Sequence, residues 1–196
     1  MAKRDPVVRD TKDRILAAAL VVFGEGGYRD SSIDDVAAAA GVTKGAVYYY
    51  FSDKDDLARD LQHQLWEQLA TDAVASFDPG RSTVVNLEAC FGAFLVSLSA
   101  RPTARAFLRE AWFTPALDTS GRADQESMLG MVQGILEQGM ATGDVRRFDP
   151  EALTRVLVGA LMEATLYVLG PGEADAAMPV VRHFVASLAT VPAEVG

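Results

Sequence analysis

The chain has 196 residues, 49% of them hydrophobic, and a net charge of −9 at neutral pH. That is enough to bury a core in a small domain beside a larger one. A single cysteine, Cys90, and two histidines far apart in sequence, His63 and His183, exclude an internal disulfide and offer no metal-ligand spacing.

The start, Met1-Ala2-Lys3-Arg4-Asp5-Pro6, lacks an apolar signal core, and the cysteine usage suits a reducing, cytoplasmic setting. A first helix is expected from about Asp10 to Gly24, with Ile15, Ala18, Ala19, Val22 and Phe23 inward. Gly24-Glu25-Gly26-Gly27 stops it. Ser32 suits an N-cap, with Asp35 near the capping-box position. Ile33, Val36, Ala37 and Ala40 give one apolar face on a short second helix. Gly41 falls where a helix end needs a left-handed residue. Thr43 restarts the chain as a cap, and Val47 and Phe51 face inward. Thr43, Lys44, Ala46, Tyr48 and Tyr50 are left largely outside. This is the pattern of a helix-turn-helix, whose second helix enters the major groove with its N-terminal residues toward the base edges. Gly45 and Ala46 keep that end thin, and phenol hydroxyls can donate to phosphates. Periodicity alone also fits ordinary core packing of a short helix pair.

A fourth helix, capped by Ser52, repeats Leu57, Leu61, Leu65 and Leu69 and connects to the remainder. Asp78-Pro79-Gly80 ends it. The boundary is placed within this helix, giving a reading domain over 1–55 and a body over 56–196. Val84, Leu87, Phe91, Phe94, Leu95 and Leu98 form the next stripe, broken at Arg101-Pro102. Pro102 suits the first turn of a helix through about Phe113, closed by Thr114-Pro115. Met128, Met131, Val132, Ile135 and Leu136 mark another, ended by Gly143. Asp149-Pro150-Glu151 is a cap, a first-turn proline and a dipole-complementing acid. The segment Leu153 to Leu169 is apolar, but Arg155 and Glu163 interrupt it and it is short for a membrane span. It reads as a buried helix, so no membrane partner is expected. Asp175 caps a last helix, with Pro179 in its first turn. No segment shows a useful β period. The fold expected is all-α, with about nine helices.

Residues 9–58 resemble the DNA-binding domain of the TetR family of bacterial transcriptional repressors. The likeness rests on Ile15-Leu16-Ala17-Ala18-Ala19, Phe23, Gly26-Gly27-Tyr28, Ser32-Ile33, Val36-Ala37, Ala40-Gly41-Val42, Lys44-Gly45-x-Val47-Tyr48-x-Tyr50-Phe51 and Lys54-x-x-Leu57. It covers about a quarter of the chain. It implies that Ser32 sits at a phosphate and that Thr43, Lys44, Gly45 and Ala46 face the groove. Tyr48, Tyr50 and Lys54 would hold phosphates, and Tyr49 would lie at the groove edge. Tyr50 departs from the histidine often found there, so it cannot become cationic.

Residues 1–60 hold nine Lys/Arg and eleven Asp/Glu, and residues 61–196 hold nine and sixteen. DNA binding must then depend on the local placement of Lys3, Arg4, Arg9, Lys12, Arg14, Lys44 and Lys54. Weak non-specific affinity and a modest salt slope are expected. The last two helices are apolar around much of their circumference, which calls for cover from a second molecule. A dimer would set two reading helices roughly 34–36 Å apart. The resemblance supports a four-helix dimer interface, with Leu157, Ala160, Leu161, Val181, Phe184 and Leu188 as its candidates. Trp66, Phe94, Phe107, Trp112, Phe113, Met128, Met131, Glu163 and Tyr167 are candidates for lining a ligand pocket, a composition that core residues share. Glu163 equally suits a solvated edge. The reading is a regulator, most simply a repressor, that binds a double-stranded palindromic operator as a homodimer and is released by a small, largely apolar effector. The alternatives are a DNA-binding protein with no effector and an all-helical enzyme. The second has no nucleophile–base pattern, and neither a catalytic residue nor a cofactor is expected.

Overall fold

The computed structural model describes residues 6–190, with the side chains of residues 6–9 and 118–127 outside the description. Among the described residues there are nine α-helices: α1 Pro6–Gly26, α2 Ile33–Ala40, α3 Lys44–Tyr50, α4 Lys54–Val74, α5 Thr83–Ser99, α6 Pro102–Trp112, α7 Gly121–Thr142, α8 Pro150–Leu169 and α9 Ala174–Ala186. A 3-10 turn at Pro115–Ser120 follows α6. A lone antiparallel bridge joins Val145 to Ala189.

The helices gather into two compact units. The first comprises the described residues up to Glu67 together with Arg101–Ser120, so α6 belongs with α1–α3 and the start of α4. In it, α1 packs against both α2 and α6. Ile15, Ala19 and Phe23 are its fully buried residues, and the Phe23 ring stacks 5.8 Å from Phe107 and meets Tyr28 edge-on at 5.4 Å. The backbones of α1 and α6 approach at Gly24, where a Cβ would stand 2.5 Å from the Thr103 side chain and carbonyl. Helix α1 begins at Pro6, earlier than Asp10, because a proline in the first turn forfeits no intrahelical bond.

Helix α4 is capped one residue later than Ser52. The Asp53 carboxylate accepts the Asp56 N–H at 2.7 Å, and the Asp56 carboxylate accepts the Ser52 N–H at 2.8 Å. A carboxylate satisfies these donors with full charge, which a serine hydroxyl cannot match.

In the second unit, Gln68–Ala100 and the described residues from Gly121 onward, α5 packs on α9 and α8, and α7 packs on α8. Its core holds Leu87, Phe91, Leu95, Leu98, Leu136, Leu157, Leu161, Val168, Val185 and Leu188. Gly92 admits Met178, whose methyl would lie 2.9 Å from a Cβ there. Helix α8 starts as expected, with the Asp149 carboxylate accepting the Ala152 N–H at 2.8 Å and Pro150 in the first turn. By length and composition it could cross a membrane; in the fold its inner face packs against α5, α7 and α9. Helix α9 starts at Ala174, so Asp175 lies in its first turn and Pro179 falls inside it. Burial of Ala174 and Ala177 draws the start forward at the cost of the bond that Pro179 cannot donate.

Gly24→Ala forces α1 off α6 and is expected to lower stability by about 1–3 kcal/mol. Gly134→Ala is expected to raise it by up to about 1 kcal/mol, since a Cβ there meets nothing within 4 Å. Urea unfolding of the two variants measures both; equal effects would contradict the close approach at Gly24.

Candidate nucleic-acid interface

The reading element begins with two caps. The Ser32 hydroxyl accepts the Asp35 N–H at 3.3 Å, and the Asp35 carboxylate accepts the Ser32 N–H at 2.8 Å. Bonds from the Ser32 hydroxyl and amide hold the Asp35 carboxyl below its ordinary range. A lowered carboxyl pKa contributes stability above about pH 4 and loses it as the pH falls through the lowered value. Gly41 ends α2 at φ +64°, a left-handed residue that a side chain would strain. Val42 donates its N–H to the Ala37 carbonyl at 3.0 Å, and the Arg14 guanidinium donates to the Ala40 carbonyl at 2.8 Å. Thr43 then caps α3 by accepting the Ala46 N–H at 3.1 Å.

Inward, Val47 and Phe51 are buried and anchor α3 along one edge. Outward, Ser32, Thr43, Lys44 and Gly45 are exposed and Ala46 is half-buried. A Cβ at Gly45 would meet only the Thr43 hydroxyl, at 3.9 Å. Packing within the described residues therefore does not demand glycine here. Tyr48 is half exposed and Tyr49 is 76% exposed, with its ring edge-on to Tyr50 at 4.9 Å. Tyr50 is half-buried. A thin N-terminal end flanked by phenol hydroxyls suits a major groove and its phosphates.

The cations are less available than the sequence implies. Lys44 Nζ lies 2.8 Å from the Asp34 carboxylate, whose hydrogen bond and charge hold the ammonium above the usual lysine range. Lys12 pairs with Asp60 at 2.7 Å and lies over the Phe51 ring. Lys54, expected at a phosphate, donates to the carbonyls of Tyr28 at 2.8 Å and Ser31 at 2.9 Å, and lies 4.5 Å from the Tyr28 ring centre. An ammonium has three donors, so most of its capacity serves the α1–α2 loop. Lys3, Arg4 and the Arg9 side chain lie outside the described residues.

That loop is held by a residue that the sequence did not single out, Glu110. The Glu110 carboxylate on α6 accepts the N–H groups of Tyr28 at 2.8 Å and Arg29 at 3.1 Å. The Tyr28 hydroxyl donates to Asp55, and burial together with that carboxylate pushes the phenol pKa well up. Nothing in local sequence pairs residues 82 apart.

The model of bacterial regulatory proteins of the tetR family matches residues 15–61, and that of the tetracyclin repressor-like C-terminal domain matches residues 84–190. The chain belongs to the TetR family. A regulator of Bacillus subtilis, the uncharacterized HTH-type transcriptional regulator YhgD, is 26% identical over 151 residues, covering 76% of this chain and 79% of its own. Among solved structures, a TetR-family regulator of Syntrophomonas wolfei superposes with a TM-score of 0.77 at 18% identity, covering 96% of this chain and 99% of that one. The Bacillus subtilis regulator FadR in complex with stearoyl-CoA superposes at 0.76 and 20%, covering 91% and 99%.

In this TetR-family chain the expected pocket residues divide between the units. Trp66, Phe107, Trp112 and Phe113 belong to the first, and Phe94, Met128, Met131, Glu163 and Tyr167 to the second. Phe107 is core, fully buried against Phe23, whereas Phe113 is 70% exposed. Trp66, Trp112, Phe94 and Met128 are half-buried. Met131, Tyr167 and Glu163 are exposed, and Arg155 is bound to Glu151 at 3.0 Å.

Of the expected interface residues, Leu157, Leu161 and Leu188 are buried in the second unit's own core. Ala160 is exposed, and Val181 and Phe184 are half-buried. The open face of α8 carries Val156, Gly159, Ala160, Glu163 and Tyr167, and that of α9 carries Val180.

Lys44→Ala is expected to weaken binding to a selected duplex by about 1–3 kcal/mol and to a scrambled duplex by less; equal losses would reduce Lys44 to a phosphate contact. Asp34→Asn removes an exposed restraint on Lys44, so titration at fixed salt should show tighter binding. Weaker binding would mean that the pair orders Lys44 for its role. Tyr48→Phe should weaken all duplexes alike, and unchanged affinity would remove its phosphate contact.

Proposed function

We propose that the protein is a ligand-responsive repressor that binds a palindromic operator as a homodimer. The observation that carries this is the exposure of Thr43, Lys44 and Gly45, with Ala46 half-buried beside them, at the start of a helix whose buried residues are Val47 and, at its end, Phe51. Ser32, Tyr48 and Tyr50 flank it and supply phosphate contacts, and Tyr49 lies at the groove edge.

The unpartnered apolar stripe on α8 and α9 supports the dimer. Val156, Ala160 and Tyr167 lie exposed along one side of α8, interrupted by the carboxylate of Glu163, and Val180 is 70% exposed on α9. Apolar surface of that kind on two neighbouring helices favours association with a second copy. Gly159, beside which a Cβ meets nothing within the chain, lets the partner's helix approach closely. Twofold pairing would repeat the reading helix about one DNA turn away, roughly 34–36 Å.

A largely apolar effector acts by preferring the released conformation, and a coupling of about 1–3 kcal/mol changes operator affinity roughly 5–150-fold. The relative FadR, in complex with stearoyl-CoA, supports a long apolar chain as the first class to try.

Ala160→Asp buries a charge at the twofold contact without touching the protomer core. Light scattering should show monomers with unchanged helicity; an intact dimer would refute this interface. The protein held on a selected duplex should release it on titration with stearoyl-CoA or another apolar ligand. Retention against the whole series would leave a DNA-binding regulator controlled by abundance alone.

A further inference from the structure

We propose that Glu110 is a positioning residue for DNA recognition: its carboxylate fixes the α1–α2 loop from which the reading helix pair departs. This rests on the reading of α3 as the DNA-contacting helix.

Residues 101–120 are contributed to the head from the far part of the chain. The polypeptide leaves the second unit at Ala100, runs through α6 and the 3-10 turn, and returns at Gly121. Within the head, α6 is not loosely attached. Phe107 is fully buried and stacks on Phe23, and Thr103 fills the notch left by Gly24. Three residues past Phe107, Glu110 ends the contact with a two-oxygen grip on successive backbone amides, Tyr28 and Arg29.

Those amides belong to the loop that launches α2. Gly27 stands at φ +84°, and the Ser31 hydroxyl donates back to its carbonyl at 2.6 Å. Ser32, the cap of α2, follows at once. From the other side Lys54 donates to the carbonyls of Tyr28 and Ser31. The loop is thus held between an anion on its N–H groups and a cation on its carbonyls, with both charges supplied by other helices. Backbone amides in a loop have no ladder to satisfy them, and a carboxylate is a strong acceptor for two at once. The two grips are not equivalent: Lys54 belongs to the helix directly following α3, whereas Glu110 belongs to a segment of the first unit, Arg101–Ser120, that is remote from it in sequence.

The chain is acidic, at −9, so removing one carboxylate should by itself tighten binding to a polyanion. Positioning predicts the opposite for specific DNA.

The full chain is compared with Glu110→Gln and Glu110→Ala, using a duplex selected from a random pool by the unsubstituted protein and a scrambled duplex of equal length. Glu110→Gln keeps one carbonyl acceptor for two amides and serves as the variant safest for folding. The expected result is a loss of specific affinity of roughly tenfold for the alanine variant and less for the glutamine variant, with scrambled-duplex affinity unchanged or raised. Hydrogen exchange should quicken at the amides of Tyr28 and Arg29 while the core of α1 stays protected. A merely structural role would lower the melting temperature without changing the ratio of specific to scrambled binding. An unchanged ratio in both folded variants, or exchange at those amides that does not quicken, would overturn the proposal. If the unsubstituted protein selects no duplex, the DNA-binding reading itself fails, which is a separate outcome.

Discussion

Helix α3 is seven residues long, too short to persist alone in water, so it exists only because its inner edge is buried. Val47 and Phe51 supply that edge. Everything the protein offers to DNA depends on this one-sided anchorage. The opposite side can stay bare because no packing requires bulk there, and Gly45 and Ala46 leave it low. The turn at Gly41 then fixes where the bare side points, because a left-handed residue at that position sets the crossing of α2 and α3.

Electrostatics follow from the same arrangement. In an acidic chain the cations near the reading helix have protein partners: Lys44 with Asp34, Lys12 with Asp60, Lys54 with loop carbonyls. Each exposed pair is weak enough to exchange for a phosphate contact at small cost. Lys54 differs: it is part of the scaffold that presents the helix, and its loss would be felt in the loop before the groove.

The helix pair at 32–51 was legible in the sequence because its signals are local. The Ser32 and Thr43 caps, the glycine at the turn and the three-and-four spacing of apolar residues all act within a few residues. The Glu110 grip was not legible, because its partners are brought together by α1 packing on α6. On α8 the apolar arc is so wide that sequence cannot set its phase. Leu157 and Leu161 turn into the protomer, while Val156 and Ala160, adjacent to them in sequence, turn out. The start of α9 was displaced by the same kind of tertiary choice, burial of Ala174 and Ala177 over the proline rule. The aromatic and methionine residues proposed for a pocket share their chemistry with core, and Phe107 shows the ambiguity resolved toward core.

The most direct measurement is footprinting of the full chain on DNA flanking its own gene, at low ionic strength. Two protected major-groove segments centred about one helical turn apart, each shielding phosphates on both sides of the groove, are the expected result. An unprotected ladder across that DNA and across a genomic fragment library would contradict the account.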